Sequence, residues 1–87
     1  MTYTVQLTAS AKKALGRMPP DIRERLTLAV AALRSDPRPP GVVKLTGEDN
    51  VYRVRVGDYR ILYEIHDNSL IVIVVKIAHR RDAYRPE

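Results

Sequence analysis

The stretch that most constrains the fold is residues 70–78, LIVIVVKIA, which are nearly all apolar. A run of this kind is typical of a strand that lies in the middle of a sheet, buried on both faces. Its longest unbroken apolar part, residues 70–75, is far too short to span a bilayer. We therefore expect a β-sheet in which other strands flank this segment.

Four other segments have strand patterning. Residues 3–7 and 51–56 alternate apolar and polar side chains, residues 59–65 do so in part, and residues 42–45 form a short apolar segment. Gly57-Asp58 and residues 67–69 supply turns between the later strands. The second half of the chain is therefore predicted to be an antiparallel sheet of three or four strands.

Residues 8–34 have helical periodicity instead. Thr8 is a suitable N-cap for a first helix, and Pro19-Pro20 ends that helix and can begin the next. The segment SDPRPPG ends the second helix. Apolar side chains recur at helical spacing in both, at Ala11, Ala14, Leu15, Met18, Ile22, Leu26, Ala29, Val30 and Leu33. The order predicts an α+β fold, in which a helical hairpin follows an N-terminal strand and packs on one face of the sheet. We expect residues 1–87 to form one domain, since a second core would need more chain.

The composition excludes several kinds of chemistry. The chain has no cysteine, which excludes disulfides, thiol catalysis and cysteine-ligated zinc. His66 and His79 are its two histidines, fewer than the three or four ligands that zinc usually takes. The lack of cysteine fits a cytoplasmic protein, and residues 1–10 do not resemble a secretory signal.

The charge is biased towards arginine. The net charge is +5, carried by eleven arginines and four lysines. Because the guanidinium group binds phosphate with a planar fork, the bias indicates nucleic acid or an acidic protein as a partner. A charge that serves only solubility is the alternative, and composition does not distinguish the two.

The segment 51–65, VYRVRVGDYRILYEI, carries three of these arginines. Side chains alternate across a strand, so Arg53 and Arg55 share one face. If Gly57-Asp58 is a two-residue hairpin loop, Arg60 lies directly opposite Arg55 on that same face. A loop one residue longer or shorter would send Arg60 to the other face. Either the guanidinium groups are solvated and partly neutralised by Glu64, or the cluster binds an anion such as a phosphodiester.

The C-terminal segment 76–87, KIAHRRDAYRPE, adds further basic and aromatic residues. If the apolar strand runs between the hairpin and the N-terminal strand, its end brings these residues towards the arginines. The length of the turn at residues 67–69 decides whether His79 or Arg80 points to that face. A solvated basic tail anchored by Tyr84 is the alternative interpretation.

Three sequence elements in this order, KLTG, then VYRVRVGDYRILYEI, then IAHRRDAY, resemble the RelE toxins of the bacterial RelE/ParE toxin–antitoxin superfamily. The resemblance covers nearly the whole chain. It implies an endoribonuclease that cuts mRNA in the ribosomal A site, using the RNA 2′-hydroxyl to attack the adjacent phosphate, without a metal or cofactor. It also implies a cognate antitoxin, which forms a hetero-oligomer with the toxin and folds on binding. No membrane partner is implied.

The resemblance also implies which residues form the site. It implies Arg60, Arg80 and Tyr84 as catalytic candidates, and Arg53, Arg55 and Lys44 as candidates for binding RNA or phosphate. To these we add His79 as a catalytic candidate and Arg81 as a candidate for binding RNA, on the chemistry of their side chains. Several relatives have lysines where this chain has Arg53 and Arg55, and arginine effectively cannot accept a proton.

The general base is therefore open. His79 is the first candidate and Tyr84 the second, with Glu48 and Glu64 behind them, whereas His66 is interpreted as structural. Two other functions stay open as well: a ParE-like toxin that inhibits DNA gyrase and cuts no RNA, and an inert member that only binds an acidic protein or the ribosome.

Overall fold

The computed structural model describes residues 2–79, so Arg80, Arg81 and Tyr84 lie outside the described residues. The elements follow one another as β1 (Thr4–Leu7), α1 (Ala9–Gly16), α2 (Pro20–Ala32), β2 (Val43–Lys44), β3 (Val51–Val56), β4 (Tyr59–His66) and β5 (Ile71–His79). This is the predicted α+β order, with a strand before two helices and the remaining strands after them.

The strands form one sheet in the order β1-β5-β4-β3-β2. The apolar strand β5 lies between β4 and β1, as its sequence predicts. The sheet is mixed, because β1 pairs with β5 in parallel while the other neighbours are antiparallel. A parallel pair needs a long crossover connection, and the two helices lie within the segment that joins β1 to the rest of the sheet.

The two helices begin where the sequence predicts, and they end at Gly16 and Ala32, each two residues before the predicted stop. The Thr8 hydroxyl accepts a hydrogen bond from the Ala11 amide at 3.1 Å, which caps α1, and it donates to the Val75 carbonyl at 3.2 Å. Pro20 is the first residue of α2, where its missing N–H has no intrahelical partner to lose. Within residues 2–79, neither helix has the length or apolarity to cross a membrane.

The core lies between the helices and one face of the sheet. Helix α1 contacts β5 and β1, and α2 contacts β3. The buried helical residues are Ala11, Leu26 and Val30, and the C-cap residue Leu33 is buried as well. The sheet contributes Ile61, Tyr63, Ile65, Val72, Val74 and Ile77. We call this side of the sheet the helix face and the other side the outer face.

A polar cluster joins loops at one end of the sheet. Arg38 binds Asp67 through two hydrogen bonds of 2.9 and 3.2 Å, and its guanidinium lies 5.1 Å from the centre of the Tyr52 ring. Tyr3 donates to the same carboxylate at 2.6 Å. The buried Tyr63 donates to the Pro37 carbonyl at 2.8 Å. These contacts tie the connection between α2 and β2 to the β4–β5 turn and to the start of the chain.

Candidate nucleic-acid interface

The β3–β4 hairpin has the register that the two-residue loop predicts. Val56 pairs with Tyr59, Arg55 pairs with Arg60, and Arg53 pairs with Leu62. Gly57 has a φ of 60°, a conformation that glycine adopts without a steric penalty. Gly57 stands at the first central position of the turn, the position that requires glycine in a type II′ hairpin. The local turn therefore sets which face each arginine occupies.

All three arginines of this hairpin lie on the outer face. The β3 residues that alternate with Arg53 and Arg55 are Tyr52 and Val54. These pair with the fully buried Tyr63 and Ile61 of β4 and so lie on the helix face. Since side chains alternate along a strand, Arg53, Arg55 and Arg60 point away from the helices. The prediction that they share one face is confirmed.

Arg55 and Arg60 pair directly across the hairpin. Side chains directly opposite each other in an antiparallel pair have Cβ atoms about 4.5–5.5 Å apart. The Arg55 Nε atom donates to the Gly57 carbonyl at 2.9 Å, whereas the Nε atom of Arg60 is buried. The β5 neighbour of Arg60 is Ala78, which is buried as well. Like charges directly opposite each other on paired strands repel.

A one-residue bulge in β5 brings a fourth cation to the outer face. Leu62 pairs with Lys76 but the next residue, Tyr63, pairs with Val74, so Val75 is the extra residue. The bulge reverses the alternation of β5 from this point on. Lys76 therefore lies on the outer face beside Leu62. We call Arg53, Arg55, Arg60 and Lys76 the cationic face.

The sequence analysis did not identify Lys76 as part of the site. An apolar run of valines and isoleucines does not reveal a bulge, because either face can accept those side chains. A signal was nevertheless present: Lys76 is the one charged residue among nearly all-apolar neighbours, and a lysine in such a strand avoids the core.

The same bulge places His79 on the helix face. His79 pairs with Tyr59, and the two rings meet edge to face with their centres 5.3 Å apart. Lys44 also lies on the helix face, because it pairs with Tyr52 at the sheet edge. The structure therefore does not bring His79 or Lys44 to Arg60, although both were candidates for the same site. The physical reason is alternation: a shift of one residue moves a side chain through the sheet.

The acidic candidates have other surroundings. Glu64 lies on the outer face, two residues beyond Leu62, and accepts a hydrogen bond from His66 Nε2 at 2.8 Å. The Asn50 side chain lies 3.4 Å from the other ring nitrogen, so His66 is held from both sides, in agreement with its structural interpretation. Glu48 is exposed in the loop between β2 and β3.

The cationic face has the chemistry of a phosphate-binding surface. Three guanidinium groups and one ammonium group project from three adjacent strands, and rigid strands hold their backbones. Guanidinium groups bind phosphate oxygens through paired N–H donors. Among residues 2–79, no three histidine or carboxylate side chains are grouped as metal ligands.

Comparison with known proteins identifies the family. Residues 5–84 match the family model described as the ParE toxin of the type II toxin–antitoxin system parDE. The chain belongs to this toxin family. The resemblance to the RelE/ParE superfamily is thereby confirmed.

Relatives of this RelE/ParE-family toxin match it over almost their whole length. Toxin RelG of Mycobacterium tuberculosis is 33% identical over 86 residues, which cover 98% of this chain and 99% of RelG. A chain of the archaeal RelE–RelB complex from Pyrococcus horikoshii has a TM-score of 0.82 at 30% identity, over 92% of this chain and 97% of that chain. A chain of the toxin–antitoxin complex RelBE2 of Mycobacterium tuberculosis has a TM-score of 0.81 at 29% identity, over 92% and 100%.

Proposed function

We propose that this toxin is an endoribonuclease that cuts mRNA in the ribosomal A site, with the cationic face as its phosphate-binding surface. The observation that carries the proposal is the direct pairing of Arg55 with Arg60 on the outer face, with Arg53 on the same face. Guanidinium groups held side by side can bind the oxygens of one phosphodiester through paired N–H donors. The toxin needs no metal or cofactor for the reaction described next.

In the proposed reaction the RNA supplies its own nucleophile. The 2′-oxygen forms a bond to the adjacent phosphorus while the bond from phosphorus to the 5′-oxygen breaks, which leaves a cyclic phosphate and a free 5′-hydroxyl. One proton leaves the 2′-hydroxyl and one reaches the 5′-oxygen. The tasks left to the protein are to hold the backbone in line and to stabilise the extra negative charge on the phosphate.

The roles follow from position on the cationic face. Arg60, half-buried between Arg55 and Ala78, is proposed to bind the phosphate that is cut. Arg53 and Arg55 hold the RNA backbone beside it. Arg80 is proposed to contact the phosphate in the transition state, and Arg81 is proposed to contact the RNA. A deoxyribose strand lacks the attacking hydroxyl, so the toxin would cut RNA and spare DNA.

Proton transfer is proposed for Tyr84. Arginine effectively cannot accept a proton, and the ring of His79 packs against Tyr59 on the helix face. Glu64 is about 13 Å along β4 from Arg60, taking four residues at about 3.3 Å each. We therefore expect His79→Ala to keep RNA cleavage and Tyr84→Phe to lose it, in the same assay of RNA 5′ ends.

An antitoxin is the proposed partner. The relatives from Pyrococcus horikoshii and Mycobacterium tuberculosis were crystallised as complexes with one. We infer that an acidic segment of the antitoxin lies on the cationic face and offsets the repulsion between Arg55 and Arg60. Because a partner that binds only the folded state adds RT ln(1 + [L]/Kd), a hundredfold excess over Kd would stabilise the toxin by about 2.7 kcal/mol.

The test is expression of the toxin without its partner, followed by mapping of mRNA 5′ ends. Arg60→Ala is the decisive variant, and Arg34→Ala is its matched control, because it removes the same charge from an exposed position directly after α2. We expect ribosome-phased cuts with the parent toxin and with Arg34→Ala, and none with Arg60→Ala. Cuts that persist in Arg60→Ala would overturn the assignment of the site.

A second function is favoured by the family description, which is that of a ParE toxin. A toxin of that kind inhibits DNA gyrase and cuts no RNA. Growth arrest without new RNA ends, together with loss of plasmid supercoiling, would establish this alternative and reject the nuclease.

A further inference from the structure

We propose that Lys76 and Arg53 form a second phosphate-binding subsite, next to the one that Arg55 and Arg60 provide for the phosphate that is cut. The inference rests on the proposed function and adds to it the length and direction of the RNA segment that the toxin holds. It follows from the rows of side chains that cross the outer face.

The first row runs Arg55, Arg60, Ala78 across β3, β4 and β5. The second runs Arg53, Leu62, Lys76 across the same strands. Equivalent positions in the two rows are two residues apart along each strand, which is about 6.6 Å. This spacing is comparable with that of consecutive phosphates along an extended single strand. Two adjacent phosphates can therefore each meet a pair of cations.

The two rows present their cations differently. Arg55 and Arg60 are direct neighbours, so a phosphate in the first row can be gripped from two adjacent strands. In the second row Leu62 separates Arg53 from Lys76, and their backbones are two strand spacings apart, about 9.5 Å. Long, flexible side chains can close on a phosphate above Leu62 from both sides. The first row thus suits charge stabilisation and the second suits positioning.

A third row ends the subsite. It runs Val51, Glu64, Ile73, and its charged member is the carboxylate that accepts the hydrogen bond from His66. A phosphate at this level would face a negative charge instead of a positive one. The cationic face therefore accommodates two consecutive phosphates along β4, and the RNA must leave the sheet before Glu64.

The bulge at Val75 supports a role for Lys76 in binding. Without the extra residue, continued alternation from Val72 and Val74 would turn position 76 towards the helices and Ile77 outward. Bulges re-aim side chains and are frequent next to active sites. Here the bulge moves one cation to the cationic face and keeps Ile77 in the core, where it is 5% exposed.

The test measures binding of a short single-stranded RNA that is 2′-O-methylated, so that it binds without being cut. Lys76→Gln is compared with Lys13→Gln, a matched variant at an exposed position of α1. Each phosphate contact on a single strand contributes about 0.7 to the slope of log K against log salt. We expect Lys76→Gln to reduce the slope by about 0.7, Lys76→Arg to restore it, and Lys13→Gln to leave it unchanged. Equal melting temperatures of all variants would show that folding is unaffected.

The neighbouring phosphate is identified by a double substitution. Replacing the phosphate next to the cleavage position by a neutral methylphosphonate should weaken binding to the parent toxin, and should weaken binding to Lys76→Gln much less. With cleavable RNA, Lys76→Gln should raise KM and change kcat little, unlike Arg60→Ala. An unchanged salt slope in Lys76→Gln, additive losses in the double substitution, or no RNA binding by the parent toxin would each overturn the subsite.

The failure of the subsite is distinguishable from failure of the nuclease proposal. A parent toxin that cuts RNA while Lys76→Gln behaves like Lys13→Gln would retain the nuclease and reject the subsite. A parent toxin that binds methylated RNA through Lys76 and never cuts its unmodified counterpart, whether free or on the ribosome, would retain the subsite and reject the nuclease.

Discussion

Arg38 and Arg60 lie near opposite ends of the β3–β4 hairpin and have opposite surroundings. Arg38 binds a carboxylate with two hydrogen bonds, donates to the Tyr52 hydroxyl at 3.3 Å and stacks on that ring. Arg60 faces a second arginine directly across the hairpin. The first arrangement connects segments of the fold that are distant in sequence. The second concentrates like charge, which a ligand or partner can neutralise. The comparison teaches that the same residue type connects distant segments of the fold at one end, and at the other end is placed beside a like charge, where we propose that it binds phosphate.

The largest expected effect comes from replacing each of these two arginines by alanine and comparing the variants. We expect Arg60→Ala to lower kcat for RNA cleavage about 10²–10³-fold, the loss typical when one group that stabilises transition-state charge is removed. Arg38→Ala should leave kcat within about twofold, because its contacts are at the other end of the sheet, and should lower the melting temperature instead. Single-turnover cleavage and thermal unfolding of both variants check this. Equal kcat losses in the two variants would abolish the distinction.

The next largest effect is on stability and concerns the buried hydroxyl of Tyr63. Burial raises the pKa of Tyr63 to about 12, so the hydroxyl keeps its proton and donates it to the Pro37 carbonyl. Tyr63→Phe leaves that carbonyl without this donor, and we expect a loss of about 1–3 kcal/mol in the free energy of unfolding. Tyr52→Phe, which removes a longer and more exposed contact, is the control and should cost less. Urea unfolding of the two variants measures the difference, and an equal cost would contradict it.

A smaller effect, of opposite sign, is expected at the cationic face. Arg55→Thr removes the like-charge pair and should raise the free energy of unfolding by about 0.2–1 kcal/mol while weakening RNA binding. Arg53→Thr is the matched control, because Arg53 faces Leu62 and its removal relieves no direct repulsion. A stability gain confined to Arg55→Thr would sharpen the contrast between the two ends of the hairpin. A loss of stability at position 55 would mean that the arginine pair supports the fold after all.

The smallest effect is a dependence of the free energy of unfolding on pH, through Asp67. Hydrogen bonds from Arg38 and Tyr3 lower the pKa of Asp67 from 3.8 to about 2. Because this pKa is depressed in the folded state, the stabilisation is complete above about pH 4 and is lost as the pH falls through about 2. Asp67→Asn should therefore be less stable than the parent at pH 7, and the difference should vanish below pH 2. Urea midpoints across this range measure it, and a difference that stays constant with pH would exclude the carboxylate as its source.

Much of the fold was predictable because its signals are local. Thr8 caps α1 as expected, Pro20 begins α2, and the apolar strand lies inside the sheet. The short strand predicted at residues 42–45 is present as β2, over two residues. The parallel pairing of β1 with β5 was not specified, since it depends on contacts between segments distant in the chain. The cationic face was predicted only in part: the sequence analysis identified its three arginines and missed Lys76, and two other candidates, Lys44 and His79, lie on the helix face.

The sequence by itself determined that Arg53 and Arg55 share a face, because side chains alternate along a strand. It placed Arg60 on that face on the condition of a two-residue turn at Gly57, and the structure has this turn. Only the tertiary structure decided which face Lys76 and His79 occupy. The bulge at Val75 arises where β5 must pair with β4 and still keep Val74 and Ile77 in the core. No local preference of valine specifies that adjustment, yet it turns Lys76 to the cationic face and His79 to the helices.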